Sequence, residues 1–358
     1  MSTPRHFVDI PESSSTVSVS IIDTSVRFKQ WKIDPFVKAP KIAGQDYWSA
    51  SSWSFKIVHP KHGTYLFDLG VRKDWEKNMT PGSRKITDQL GWKWALDKDV
   101  AQILTENGED LDSVKAIFWS HWHWDHIGDP STFPGSVKLF VGPGSKAELL
   151  PGWPEDPIGR ANSDAWKGRQ FEDVEFPTDL MIGGYRARDF FDDGSFYILD
   201  TPGHATGHIC ALARTTSEGE SSFIFMGGDI AHMIGQIRPS KHLPLPENIS
   251  PDPRKSIDQV SSCCPCAGYV AIHPHKVKNE PYYVGSEMMA NIPAQAEEST
   301  RKLESFDADD RVFVVIAHDN KLEGIVDFYP KHANEWQSKN WKPLSRWRFL
   351  GDFQPADV

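Results

Sequence analysis

The chain has 358 residues, of which 39% are hydrophobic and 12% aromatic, ample material for a large buried core. Its 39 Lys and Arg against 49 Asp and Glu give a formal net charge of −10, which disfavours broad attraction to nucleic acid or to an anionic membrane. No segment approaches about 18 uninterrupted apolar residues, the opening "MSTPRHFVDIPESSSTVSVS" has no signal-peptide core, and four cysteines make no disulfide framework in a chain this long; a cytoplasmic protein is expected.

Residues 1–15 read as an N-terminal extension. "TVSVSIID" (16–23) alternates with period two and predicts the first strand. "SFKIVHP" and "TYLFDLG", split by "KHG", predict a β-hairpin. The charged, Trp-bearing stretch 71–94 lacks clean periodicity and reads as a lid-like insertion. "DKDVAQILTENG" predicts a helix, with Asp97 as N-cap and Gly108 as stop. "VKAIFWS" predicts a buried strand, "KLFVGPG" another and "SKAELLPG" a short helix, followed by loop from Pro151 to Pro177. "SFYILDTPGHATGHICALAR" reads as strand, tight turn, strand, and "SSFIFMGGDIAH" as a strand ending in Gly-Gly-Asp. Helices are expected near 253–264 and 285–305, and "RVFVVIAHDN" as a last buried strand. The tail 331–358 is polar with interspersed Trp and is expected to pack on the main domain, 16–330. "CCPC" (Cys263 to Cys266) lacks the second pair of a zinc ribbon and reads as an ordinary structural cluster.

Ligand-type residues recur at predicted strand ends: His121, His123, Asp125 and His126 in "HWHWDH", then His204, then Asp229, then His318. Strand ends on one sheet edge converge in space, so this recurrence points to a metal cage. His121 and His123, two apart on an extended segment, point the same way, and Asp125 and His126 follow where the chain must turn. Imidazole with carboxylate and no nearby thiolate suits zinc, and also manganese, iron or cobalt. A carboxylate such as Asp229 can bridge two ions. Isolated histidines such as His59, His62 and His242 read as surface or satisfied side chains.

The segment "HWHWDH" resembles the H-x-H-x-D-H signature of the metallo-β-lactamase superfamily. "TPGHATGH", "FMGGDIAH" and "VFVVIAHD" resemble its later ligand-bearing segments, in order, from about residue 16 to 320. The resemblance implies an α/β four-layer αββα sandwich, with two mixed β-sheets face to face and helices outside. It puts His121, His123 and His204 on one divalent ion, Asp125, His126 and His318 on a second, and Asp229 between them. His208 falls at a position outside the coordinating set, and Asp68 resembles the early aspartate that supports the site from beneath.

A pair of divalent ions, zinc first, implies hydrolysis: a hydroxide shared by the ions attacks a carbonyl. The chain looks most like quorum-quenching-type lactonases, which implies opening of a small hydrophobic cyclic ester. A lactamase-type cyclic amide hydrolase is the nearest rival; a thioesterase and a non-hydrolytic metal-binding protein are further alternatives. The resemblance departs at His232, where such lactonases carry a tyrosine three residues after the bridging aspartate. Asp125 and His232 are the candidate catalytic residues, with His232 as proton donor or as mere packing. Tyr282 and Tyr283 are candidate substrate contacts. Trp122 and Trp124 alternate with the ligands and are expected to face the core. A small-molecule substrate is the expected partner, with no nucleic acid or membrane; a homodimer is left open.

Overall fold

The computed structural model describes residues 6–353; residues 1–5 of the N-terminal extension and 354–358 of the tail lie outside the described residues. One sheet is built from β1 (Ser18–Lys32), β2 (Tyr47–His59), β3 (Gly63–Phe67), β4 (Trp94–Ala95), β5 (Val114–Phe118), β6 (Lys138–Val141) and β7 (Phe171–Asp173). Their spatial order is β4-β1-β2-β3-β5-β6-β7. The second sheet contains β8 (Met181–Ile182), β9 (Tyr185–Asp189), β10 (Phe196–Asp200), β11 (Ile209–Thr216) and β12 (Ser222–Met226). A separate small pair, β13 (Asn248–Ile249) and β14 (Cys264–Pro265), precedes β15 (Val312–Val315), which completes the second sheet in the order β15-β12-β11-β10-β9-β8. Both sheets are mixed: β3-β5-β6-β7 and β12-β15 run parallel, the other neighbours antiparallel.

The central strands are buried along nearly their whole length, as strands covered on both faces must be. Between the sheets, Ile21, Phe55, Phe67 and Phe118 of the first meet Ile198, Ile224, Met226 and Val315 of the second. Helices cover the outer faces. Val100, Ala101 and Leu104 of the helix Val100–Glu106 pack on Ile22, Leu66 and Ile117. Leu303 and Phe306 of the helix Pro293–Ala308 pack with Tyr185 and Phe225, each such burial contributing about 1.5–3 kcal/mol. This is the expected four-layer sandwich. Among the described residues no helix is long and apolar enough to cross a membrane.

The functional consequence is a matter of strand direction. Because β3 and β5 run parallel, Asp68 and the histidine-rich loop emerge at the same edge; because β12 and β15 run parallel, so do Asp229 and His318.

Several local expectations are corrected. The helix Val100–Glu106 is capped by Asp99, not Asp97: Asp99 accepts from the Gln102 N–H while the Gln102 side chain returns to Asp99, a reciprocal pair unavailable to Asp97. No helix forms at 253–264, where Pro253 opens a run with no continuous apolar face and Val260 stays exposed. The helix expected near 285–305 is present as Pro293–Ala308, and an unexpected short one forms at Ala267–Ile272. The stretch read as loop from Pro151 to Pro177 contains the edge strand β7. The tail packs deeply. Ala333, Trp336 and Trp341 enter the inter-sheet cluster, and Lys342 is buried against the carbonyls of Asp309 and Val312.

Candidate metal centre

The loop after β5 is tied down before any cation is considered. Asp68 follows β3 in a left-handed conformation (φ 59°), which aspartate tolerates better than most residues. Its carboxylate accepts from Ser120 N at 2.6 Å, Ser120 Oγ at 2.7 Å and His126 Nδ1 at 3.0 Å. The second-sheet loop is held as firmly: Gly142 and Gly207 approach so closely that a side chain at either would strike the other's backbone.

Each of three ligand-type imidazoles has one nitrogen committed to the protein. His126 Nδ1 meets Asp68, His121 Nδ1 lies 3.0 Å from Ser120 Oγ, and His318 Nδ1 lies 2.8 Å from the Ser51 carbonyl. Such contacts fix the ring and leave Nε2 as the free donor. His208 is engaged at both ends, with Nδ1 2.8 Å from Thr201 Oγ1 and Nε2 accepting from Asp229 N at 3.1 Å. It therefore holds the Asp229 backbone rather than offering a lone pair.

The free donors converge in two groups, His121–His123–His204–Asp229 and Asp125–His126–His318. Asp229 faces both ways. Its Oδ1 lies 3.1 Å from His126 Nε2 and 3.1 Å from His318 Nε2, and its Oδ2 3.6 Å from His204 Nε2 and 3.9 Å from His121 Nε2. Asp125 Oδ2 lies 3.6 Å from His318 Nε2 and 4.0 Å from His126 Nε2.

These donors fit divalent cations. His204 Nε2 stands 3.2 Å from His121 Nε2 and 2.9 Å from His123 Nδ1, lone pair against lone pair. Tetrahedral coordination at about 2.0–2.1 Å puts neighbouring nitrogens roughly 3.3–3.4 Å apart. His126 Nε2 and Asp229 Oδ1 are buried without a hydrogen-bond partner among the described residues, an expensive arrangement unless a cation lies between them. Burial and the neighbouring rings hold His121 and His204 well below the usual imidazole range, and burial above all takes His123 to about 3, so their nitrogens are free to coordinate. Burial opposes charge on His126 too, but the carboxylates of Asp229 and Asp125 outweigh it and hold that ring high. Imidazoles with carboxylates and no thiolate suit zinc, manganese, iron or cobalt.

Two cavities open onto this centre. One, about 520 Å³, is walled by Trp31, Phe36, Trp92, Trp122 and Trp124 and covered by Ser83, Ile86 and Leu90 of the insertion 71–94. Trp31 and Trp92 stack at 4.1 Å between ring centroids, only 8° from parallel. The other, about 490 Å³, shares His204, Asp229 and His232 with the first and runs along the helix Pro293–Ala308.

His232 sits where they meet. Its Nε2 is 3.3 Å from Asp229 Oδ2 and, like His126 Nε2, has no hydrogen-bond partner among the described residues. Tyr283 lines the second cavity. Tyr282 does not: its hydroxyl donates to the Tyr269 carbonyl and its ring packs on Phe353, so it belongs to the core. Trp122 lies in the buried cluster with Trp119 and Leu139, as expected, and also lines the cavity, whereas Trp124 is only half-buried and walls the cavity; β5 ends at Phe118, so no strand alternation governs 121–124. Sequence reasoning missed Trp31, Phe36 and Trp92, which carry no local motif.

A buried cluster of seven such donors at one rim of an αββα sandwich defines a metallohydrolase centre. The chain belongs to the metallo-beta-lactamase superfamily of hydrolases, whose family model matches residues 52–215. It is 45% identical to a protein named Gamma-lactamase FDB1 of Fusarium pseudograminearum over 98% of this chain and 86% of that one. It is 37% identical to Metallo-hydrolase mfmC of Annulohypoxylon moriforme over 99% and 92% respectively. Among solved structures, an N-acyl homoserine lactone hydrolase with N-hexanoyl-L-homoserine at its catalytic metal centre shares the fold, with a TM-score of 0.57 at 14% identity over 89% of this chain and 99% of that one.

Proposed function

We propose that the chain hydrolyses the ring carbonyl of a small cyclic amide, with two divalent cations, zinc first, held by His121, His123 and His204 on one side and Asp125, His126 and His318 on the other, Asp229 between. When bound, such a pair lowers the pKa of a coordinated water and withdraws charge from a carbonyl oxygen.

The chain's own residues do the rest. Asp68 and His208 hold the donors in register, and the indole-walled cavity seats an apolar ring and excludes bulk water. The observation that carries the reading is His232, whose unpartnered Nε2 stands beside Asp229 at the junction of the cavities. An amide nitrogen is a poor leaving group unless it receives a proton as the C–N bond breaks. Imidazole is the side chain best matched to that transfer near neutral pH.

Sequence alone ranks the cyclic ester first. His232 at this place, together with a relative named gamma-lactamase, reverses that order. A cyclic ester is expected as a second substrate, because its alkoxide leaves with less help.

The test is a matched panel of γ-lactam, γ-lactone, thiolactone and phosphoester offered to the metal-loaded protein. Lactam turnover that falls more steeply than lactone turnover on His232→Phe is the expected result. Hydrolysis of the phosphoester alone, or bound metal with no carbonyl hydrolysis, overturns the proposal.

A further inference from the structure

Ring opening accounts for the indole-walled cavity but not for its neighbour. The second chamber leaves the metal centre along one face of the helix Pro293–Ala308, where Pro293, Ala296, Thr300 and Glu304 recur at helical spacing. Thr300 Oγ1 lies 2.6 Å from the carbonyl of Ile230, next to Asp229, which pins this face against the centre. Glu304 stands one turn further out, about 6 Å along the axis.

Many polar groups of this chamber are engaged; among those that are not, His232 Nε2 belongs to the metal centre and Tyr283 Oη lies on the opposite wall, which leaves Glu304 as the unpartnered carboxylate on the helix face. Gln236 accepts from His232 N at 2.7 Å, Thr300 bonds the carbonyls of Ile230 and Ala296, Arg301 pairs with Glu297, and His275 with Glu280. Glu304 is only 8% exposed and lines the cavity, yet its carboxyl has no hydrogen bond or ion pair among the described residues. Burial of most of this side chain pushes its carboxyl up to about 6. An unmatched polar group on a cavity wall marks the place of a ligand atom.

We propose that this chamber is a second substrate subsite, in which an arm of the cyclic substrate presents a neutral hydrogen-bond donor, a hydroxyl or amide N–H, to Glu304. The inference rests on the reading of the metal centre as a ring-opening site and adds the substituent its substrate carries. A carboxylate accepts and cannot donate, which selects a donor. Arg301 is paired with Glu297 and Glu280 with His275, which leaves Lys241 and Glu304 as opposite charges on the wall and favours a neutral arm over a charged one. Glu304 lies about one helical turn beyond Thr300, so the arm must extend past Thr300 to reach it.

The test uses two γ-lactams and their ring-opened acids, identical except for an arm ending in a primary carboxamide or in an isopropyl group of the same shape. Affinity for the metal-loaded protein is read by calorimetry and turnover is measured separately. The wild type is expected to bind the carboxamide arm about tenfold more tightly, as one hydrogen bond to a charged acceptor allows. Glu304→Leu should erase that ratio, and Glu304→Gln, which still accepts, should keep part of it. Equal binding of both arms, no binding of either, or a ratio unchanged in Glu304→Leu overturns the subsite. A carboxamide preference lost in Glu304→Leu without opening of either ring leaves the subsite standing and removes the ring-opening reading. Turnover of both rings with no arm preference does the reverse.

Discussion

His232 Nε2 lies 3.3 Å from Asp229 Oδ2, on the side of that carboxylate which faces His204. The imidazole is thus beside the donor cluster while its backbone is held from outside it by Gln236. His232→Phe is expected to keep the bound cations, by elemental analysis, and to lower kcat by about 10²–10⁴-fold, the usual span for a lost general acid. Loss of metal along with activity would instead make His232 a ligand.

His204→Ala removes a nitrogen that meets two other imidazoles within 3.2 Å. Metal content should fall toward one ion per chain and turnover should vanish. Two ions retained with full activity would contradict the assignment of this residue to the cage.

Asp68 is not one of the converging donors, yet it orients His126 and the Ser120 backbone together. Asp68→Asn is expected to weaken cation binding by about 10–100-fold, measured by competition with a chromogenic chelator, because the supporting partner sets both the tautomer and the aim of the ring. Unchanged affinity would reduce Asp68 to an ordinary strand-end cap.

Chelation should lower Tm, and added zinc should restore it in a concentration-dependent way. The lone pairs of His121, His123 and His204 crowd together with nothing to offset them once the ions leave. A Tm indifferent to chelator would argue that no cation sits among these donors.

Lys342 supplies a pH signature far from the centre. It is 2% exposed, and burial lowers its ammonium to about 7 from 10.5. The folded value lies below the unfolded one, so between these limits the unfolded chain holds a proton that the native chain has shed. Native stability therefore gains from this group as pH rises through that window, and is burdened by it below about 7. In denaturant titrations from pH 6 to 9, Lys342→Met should lack this upward contribution. Whatever constant penalty follows from stranding the Asp309 and Val312 carbonyls, the variant's stability relative to wild type should be nearly level below about pH 7 and decline above it. A parallel pair of curves would show that Lys342 does not titrate there.

Much of the centre was legible because its chemistry is written in short segments. "HWHWDH" carries four donors in six positions, and "TPGHATGH", "GGD" and "IAHD" each follow an apolar run that can only be a buried strand. The hairpin of β2 and β3 was equally plain, since Gly63 ends a turn between two alternating runs. The edge strands β7 and β8, and β9 next to β8, were not: short and only partly buried, they form because a neighbouring strand offers unpaired backbone groups.

By itself the sequence determined which side chains could bind cations and the order in which strands deliver them, because residue type and period are local properties. Tertiary structure alone decided that Asp229 faces both donor groups, that Trp31 and Trp92 become one wall, and that of the two buried neighbours Tyr282 and Tyr283 only the second reaches a cavity. The physical reason is direction. A side chain's role depends on what lies in front of it, and for these residues that neighbour comes from a distant part of the chain, brought there by how the two sheets pack.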